Sequence, residues 1–199
     1  MDSAERMRLL EEAAEKKGIS RLQLMENAGR ESARVISQRF GLSGKRVLVV
    51  CYHGNNGGDG FAAARYLAQE AEVDILFIGE EAKLKPEAQN QFEKAEKDEH
   101  IQFISLAFVE FDQYDMIVDA LLGLGSSGEL RYPVSAAVDL INSSSGIKVS
   151  LDIPTGMDPD TGEGVSAIKP DLVITFHEMK PGLSQIKDKT IIVDIGIPK

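Results

Sequence analysis

Apolar and polar positions follow two rhythms along this chain. From Arg21 to Phe40, Leu22, Met25, Ala28, Val35 and Ile36 recur at helical intervals, and Ser20 with Gln23 has the spacing of a capping box. That segment predicts an amphipathic helix ended by Gly41, and residues 3–17 predict an earlier helix that stops near Gly18. Arg46–Tyr52 is then a nearly unbroken apolar strand, followed by a Gly/Asn loop at Gly54–Gly60 and a helical stretch at Phe61–Glu70. Further strands are predicted at Val73–Ile78, Ile101–Ser105, Met116–Leu121, Val149–Ile153, Leu172–Phe176 and Ile191–Ile195. Between them lie a polar helix at Pro86–Lys97, with proline in its first turn, and a helix at Pro133–Ile141.

Strands apolar on both faces and interleaved with helices imply a mainly parallel sheet covered on both sides, an α/β, Rossmann-like three-layer sandwich. Ligands of such sheets bind beyond the carboxyl ends of the strands. His53–Gly60, Asp119–Gly128, Asp152–Asp158 and His177–Gly182 therefore become the segments to inspect. Pro154–Gly164 is the longest loop expected. No internal repeat or linker divides the 199 residues, so a single domain is expected over the whole chain.

Charge and cysteine count narrow the function. The formal net charge of −10 disfavours general nucleic-acid binding, and any anionic substrate needs local backbone N–H groups or a bound cation. Cys51 is the only cysteine, which excludes an intrachain disulfide. The charged N-terminal segment resembles no signal peptide and no apolar run reaches membrane-spanning length, so a cytoplasmic location without a membrane partner is expected.

Three loops carry candidate chemistry. In Gly54–Gly60 (GNNGGDG), glycines and asparagines tolerate positive φ, and the helix that follows favours phosphate at its start. Neither a Walker loop nor the G-x-G-x-x-G fingerprint is present. Asp59 could cap the helix, contact a ligand, or both. Asp119, within an apolar strand, needs a donor or cation around it, and the Gly123–Gly128 run suits close approach to a ligand. Asp152, at a strand end before Pro154 and Gly156, can act as a general acid or base.

Taken in order, LMENAG (Leu24–Gly29), GNNGGDG, VDALLGLG (Val118–Gly125), LDIPTGMD (Leu151–Asp158) and the late TFH and KPGL stretches resemble the N-terminal YjeF-type domain family, from the second helix to the last strand. The activity defining that family is epimerisation of hydrated NADH and NADPH. The resemblance implies substrate contacts at Asn55, Asn56, Gly57, Gly58 and Asp59, and again at Gly123, Leu124, Gly125, Ser126, Ser127, Gly128 and Glu129. It implies a potassium ion held by Asn56, Asp119 and Thr155, an all-oxygen set that suits a hard cation. Asp152 matches the family's substrate-binding carboxylate and is the choice for the catalytic acid/base. Tyr52 stands where the family commonly has glycine, and Thr155 where serine is more frequent.

The implied partner is a small molecule, hydrated NADH or NADPH. A homodimer, and a fused or separate ADP- or ATP-dependent dehydratase, stay open. Two rivals are weighed. One is a non-catalytic nucleotide- or RNA-binding dimerisation module of the same fold, disfavoured by the intact Asn56, Asp119, Asp152 and Thr155 and by the negative charge. The other is a nicotinamide dehydrogenase, disfavoured by the missing dinucleotide fingerprint. Cys51 reads as a core residue, Phe61 and Met157 as pocket lining, and His177 and Lys180 as packing or surface residues, with a cleft contact open to His177 and a phosphate contact to Lys180.

Overall fold

The computed structural model describes residues 1–125 and 128–198. The chain runs α1 (Ser3–Lys16), α2 (Arg21–Phe40), β1 (Arg46–Cys51), α3 (Asn55–Leu67), β2 (Glu72–Phe77), α4 (Pro86–Glu96), β3 (Ile101–Ile104), β4 (Met116–Ala120), α5 (Val134–Ser143), β5 (Ile147–Leu151), β6 (Leu172–Phe176) and β7 (Thr190–Val193). The seven strands form one sheet in the order β3-β2-β1-β4-β5-β6-β7, and each neighbouring pair is parallel. This is the α/β architecture expected from the pattern.

Alternation along β1 explains its nearly unbroken apolar sequence. Val47, Val49 and Cys51 pack with α2, α3 and α4 residues such as Ile36, Phe61 and Phe92. Leu48 and Val50 face the opposite layer, where Val138 and Ile141 of α5 lie. Both faces are dry, so a polar residue at any of these positions would have to find a buried partner.

The helix α2 earns its place through the LMENAG segment. Ser20 Oγ accepts the Gln23 N–H at 3.2 Å, as the capping spacing predicts. The Gln23 side-chain amide also donates to Asn27 Oδ1 at 3.0 Å. Asn27 Nδ2 in turn donates to Ile195 O at 2.7 Å and ties the helix to the chain beyond β7. A Cβ on Gly29 would stand 2.4 Å from Ala62 Cβ, so glycine permits the close crossing of α2 over α3.

The GNNGGDG segment departs from expectation. It is not a loop before a helix at Phe61: α3 begins at Asn55, with Gly54 as its extended N-cap. Nor do its glycines adopt positive φ. They mark close approach. A Cβ on Gly57 would lie 1.7 Å from Tyr52 O, on Gly58 2.6 Å from Met25 Sδ, and on Gly60 2.5 Å from Ala120 Cβ. Glycine costs a helix interior about 1 kcal/mol relative to alanine. Here the tertiary approach decides, because a side chain at Gly57 has nowhere to go. The same register overturns Asp59 as a cap, since it lies inside the helix.

Strand β5 spans Ile147–Leu151 rather than Val149–Ile153, because Asp152 adopts φ 62° and ends it. Other strand ends differ by one or two residues, the ordinary uncertainty of element boundaries. A 3₁₀ segment at Pro181–Lys189 was not foreseen. Among the described residues no helix is long and apolar enough to cross a membrane.

Candidate active site

Strand order reverses between β1 and β4, with β2 and β3 to one side and β5 to β7 to the other. Chains leaving two adjacent strands in opposite directions open a crevice at their carboxyl ends. A cavity of about 530 Å³ lies there, lined by Asn55, Asn56 and Asp59 of α3, by Gly123, Leu124 and Gly125 after β4, and by Asp152 after β5. Its outer wall comes from α1, through Ala4, Met7, Arg8 and Glu11, with Arg21 and Lys85 also lining it. Helix α1 is held over the cavity by Ser3, whose N–H donates to Asp160 Oδ1 at 3.0 Å, and by Arg6, which forms a forked ion pair with Glu178.

Beside the cavity, Asp119 is almost completely buried, as its position inside β4 requires. Four donors meet its carboxylate. Thr155 Oγ1 at 2.6 Å and Leu121 N at 3.3 Å reach Oδ1, while Ser150 Oγ at 2.8 Å and Thr155 N at 2.9 Å reach Oδ2. Burial raises its pKa and outweighs these bonds, which act the other way. Asn56 joins the group by donating its amide to Leu122 O at 3.1 Å, a carbonyl 3.4 Å from Thr155 Oγ1. Asn56 Oδ1 is buried and meets no hydrogen-bond donor among the described residues. An orphaned amide oxygen beside a buried carboxylate, a hydroxyl and a carbonyl is a donor set that fits a hard, weakly charged cation.

Asp152 and Lys180 form the other half of the site. Asp152 sits at the centre of a three-residue turn closed by Ile153 N donating to Leu151 O at 2.8 Å. His177, with φ 65°, repeats the device at the end of β6, where Glu178 N donates to Phe176 O at 2.7 Å. Such positive-φ γ-turns are rare and strained for residues with a side chain. Between the two turns Lys180 Nζ donates to Asp152 Oδ1 at 2.7 Å and to Phe176 O at 2.8 Å. The Lys180 side chain is 1% exposed and that of Asp152 12%. A Cβ on Gly123 would lie 3.7 Å from Asp152 Oδ2 and 3.3 Å from Asn56 Cβ, so this glycine keeps the passage between them narrow but open. The half-buried Asp59 has its pKa pushed well above the usual carboxylate range by burial and then by the Asp152 and Glu11 charges, with Lys180 opposing. Glu11 is raised by burial, with Arg21 opposing and Asp152 reinforcing.

The structure thus brings Asn55, Asn56, Asp59, Gly123, Leu124, Gly125 and Asp152 to one cavity, and sets Asp119 and Thr155 against it. Gly57 and Gly58 do not line it; they are buried against Tyr52 and Met25. Gly128 and Glu129 line a second cavity of about 1000 Å³, which shares Tyr52 and Leu122 with the first. Ser126 and Ser127 lie outside the described residues. Phe61 is fully buried in the core rather than at the pocket, and Met157 lines the second cavity. Cys51 is buried, as expected. Of the readings open to Lys180, packing holds and surface does not, since it is a buried ion-pair partner of Asp152. Its place in the KPGL stretch was a signal. The α1 wall carried none, because Arg8 and Glu11 look like any solvated helix face.

Comparison with known proteins follows the same lines. Residues 21–182 match the model of the family described as YjeF-related protein N-terminus. The chain belongs to this family. A bifunctional NAD(P)H-hydrate repair enzyme of Archaeoglobus fulgidus is 40% identical over 201 residues, 99% of this chain but 42% of that protein. The chain therefore spans about two fifths of that relative's length. An NAD(P)H-hydrate epimerase of Cenarchaeum symbiosum is 36% identical over 203 residues, 98% of this chain and 95% of that one. Among solved structures, yeast YNL200c superposes with a TM-score of 0.76 at 26% identity, covering 86% of this chain and 77% of that chain. The YjeF-type match begins at Arg21, so α1 lies outside it although it walls the cavity.

Proposed function

We propose that this chain is an isomerase that interconverts the R and S forms of hydrated NADH and NADPH, with Asp152 as its acid/base. The observation that carries the reading is the placement of Asp152. It is held at the switch-point cavity with Oδ1 engaged by Lys180 and Oδ2 beside Gly123, in a family that includes a relative of similar length named NAD(P)H-hydrate epimerase. The substrate carries its hydroxyl on C6, next to the ring nitrogen, as a hemiaminal. Inversion requires either loss of that hydroxyl as water and re-addition from the other face, or opening and reclosing of the C6–N1 bond. In the first route a proton goes to the departing oxygen and returns from the incoming water. In the second the hydroxyl proton leaves, its electron pair forms the C6 carbonyl, and the C6–N1 pair passes to nitrogen, which takes up a proton; reclosing on the other face reverses these steps. One carboxylate that gives and takes a proton serves either route in both directions.

Asn55, Asp59 and the Gly123–Gly125 backbone would contact the substrate, and the start of α3 favours its phosphate charge. Asn56, Asp119 and Thr155 would hold potassium, which when bound offsets phosphate and carboxylate charge. Asn56 Oδ1 is the group whose orphaned state supports that assignment. The test is direct. Epimer-resolved hydrated NADH or NADPH, mixed with the protein, should reach epimeric equilibrium faster than the spontaneous reaction. NAD with simple alcohols should give no reduction. An unaccelerated approach to equilibrium for both hydrates overturns the proposal.

A further inference from the structure

A buried lysine is an expensive way to fill space. Removing an ammonium from water costs several kcal/mol, and well-packed apolar residues often replace a buried ion pair with no loss of stability. Lys180 is nevertheless among the largest fully buried side chains of the protein. It does not line the cavity in which the substrate would sit. What it touches is the carboxylate that does. Its ammonium bridges Asp152 Oδ1 and Phe176 O, joining the chain beyond β5 to the end of β6.

The backbone on both sides is shaped to make this bridge. The turn at His177 bends the chain after β6 and Leu183 N donates to Lys180 O at 3.0 Å, which fixes the root of the side chain. The matching turn at Asp152, whose own N–H donates to Ile174 O at 2.7 Å, fixes the carboxylate. With Oδ1 occupied, the carboxylate has one orientation, in which Oδ2 is presented beside Gly123. Positive charge behind Asp152 also opposes the crowding of carboxylates, since Asp59 and Glu11 act on the same cavity. From this geometry we infer that Lys180 is a positioning residue for the reaction, orienting the Asp152 carboxylate from behind so that Oδ2 meets the reacting carbon's hydroxyl. The inference rests on the epimerase reading above.

The test is a kinetic cycle of Lys180→Met, Asp152→Asn and the double variant, with kcat and KM measured for the hydrate epimers. Lys180→Met should lower kcat about 10²-fold, the scale of a mispositioned acid/base, and leave KM within about threefold. The double variant should be no slower than Asp152→Asn alone, because both changes disable the same group. It also removes both charges, so it remains informative where Lys180→Met, with an unpaired buried carboxylate, fails to fold. Folded Lys180→Met with undiminished kcat, or losses that multiply in the double variant, overturns the role of Lys180. Loss expressed in KM alone does so too. An unaltered protein inactive on both hydrates removes the epimerase reading and this inference with it, whereas an active one with an indifferent Lys180 removes only the inference.

Discussion

Replacing Glu26 by glutamine tests how the helical layer over the cavity is held. Glu26, in LMENAG, collects donors from two other helices: Tyr66 Oη at 2.7 Å and Arg65 at 3.2 Å from α3, and Gln91 Nε2 at 2.8 Å and Lys94 at 3.2 Å from α4. Burial raises its carboxyl, but the Gln91 and Tyr66 bonds, with the Arg65 charge, together win and hold it at about 2 against an ordinary 4.5. At about 1.4 kcal/mol per tenfold change, that difference is worth at most about 3.5 kcal/mol. The Lys94 side chain is 42% exposed and solvent screens the cluster, so about 1–2 kcal/mol is expected at neutral pH. The sign follows from the direction of the shift. A carboxyl depressed by folding contributes fully above its unfolded value and loses that contribution as pH falls toward the folded one. Urea denaturation of both proteins should therefore show Glu26→Gln weaker by that amount at pH 7, with the gap closing between about pH 5 and pH 2. Because other carboxylates titrate equally in both proteins, the gap isolates Glu26. A gap that is absent at pH 7, or that stays constant down to pH 3, refutes the reasoning.

Other expectations follow from the same geometry. Gly57→Ala should cost roughly 3 kcal/mol in chemical denaturation, because its Cβ would overlap Tyr52 O; a near-neutral result would contradict the packing of α3. Deleting residues 1–17 should raise KM by roughly tenfold with a smaller change in kcat, since α1 walls the cavity but, among the described residues, makes no hydrogen bond to Asp119 or Asp152; an unchanged KM would show the wall to be idle. Potassium chloride should raise Tm by a few degrees over equimolar choline chloride, and Asn56→Ala should abolish the difference; an equal response in both proteins would refute a site that includes Asn56.

How much of this was legible beforehand depended on the kind of interaction. Strands β1, β4 and β6 announce themselves because both faces are buried and nearly every residue is apolar. Asp119 was legible for the same reason, as a charge in an otherwise dry strand. The start of α3 was not. Glycine usually signals a turn, and only the approach of Tyr52 and Ala120, distant in sequence or hidden by the fold, makes it a helix residue. Asp152 was placed at a strand end, but not its positive φ, which needs the β6 turn beside it. Lys180 and Asp152 are far apart in sequence and meet only because β5 and β6 are neighbours. Glu11 and Arg8 were invisible, since their sequence pattern is that of any exposed helix face.

The decisive measurement is epimerisation by the unaltered protein and by Asp152→Asn, followed by proton NMR at C6 on a purified single epimer with the spontaneous rate subtracted. The unaltered protein should accelerate inversion of that centre, and Asp152→Asn, with an unchanged fold by circular dichroism, should lose about 10²–10⁴-fold of that acceleration. Unaltered inversion in the folded Asp152→Asn variant would contradict the assignment of the carboxylate. No acceleration by either protein would contradict the function itself.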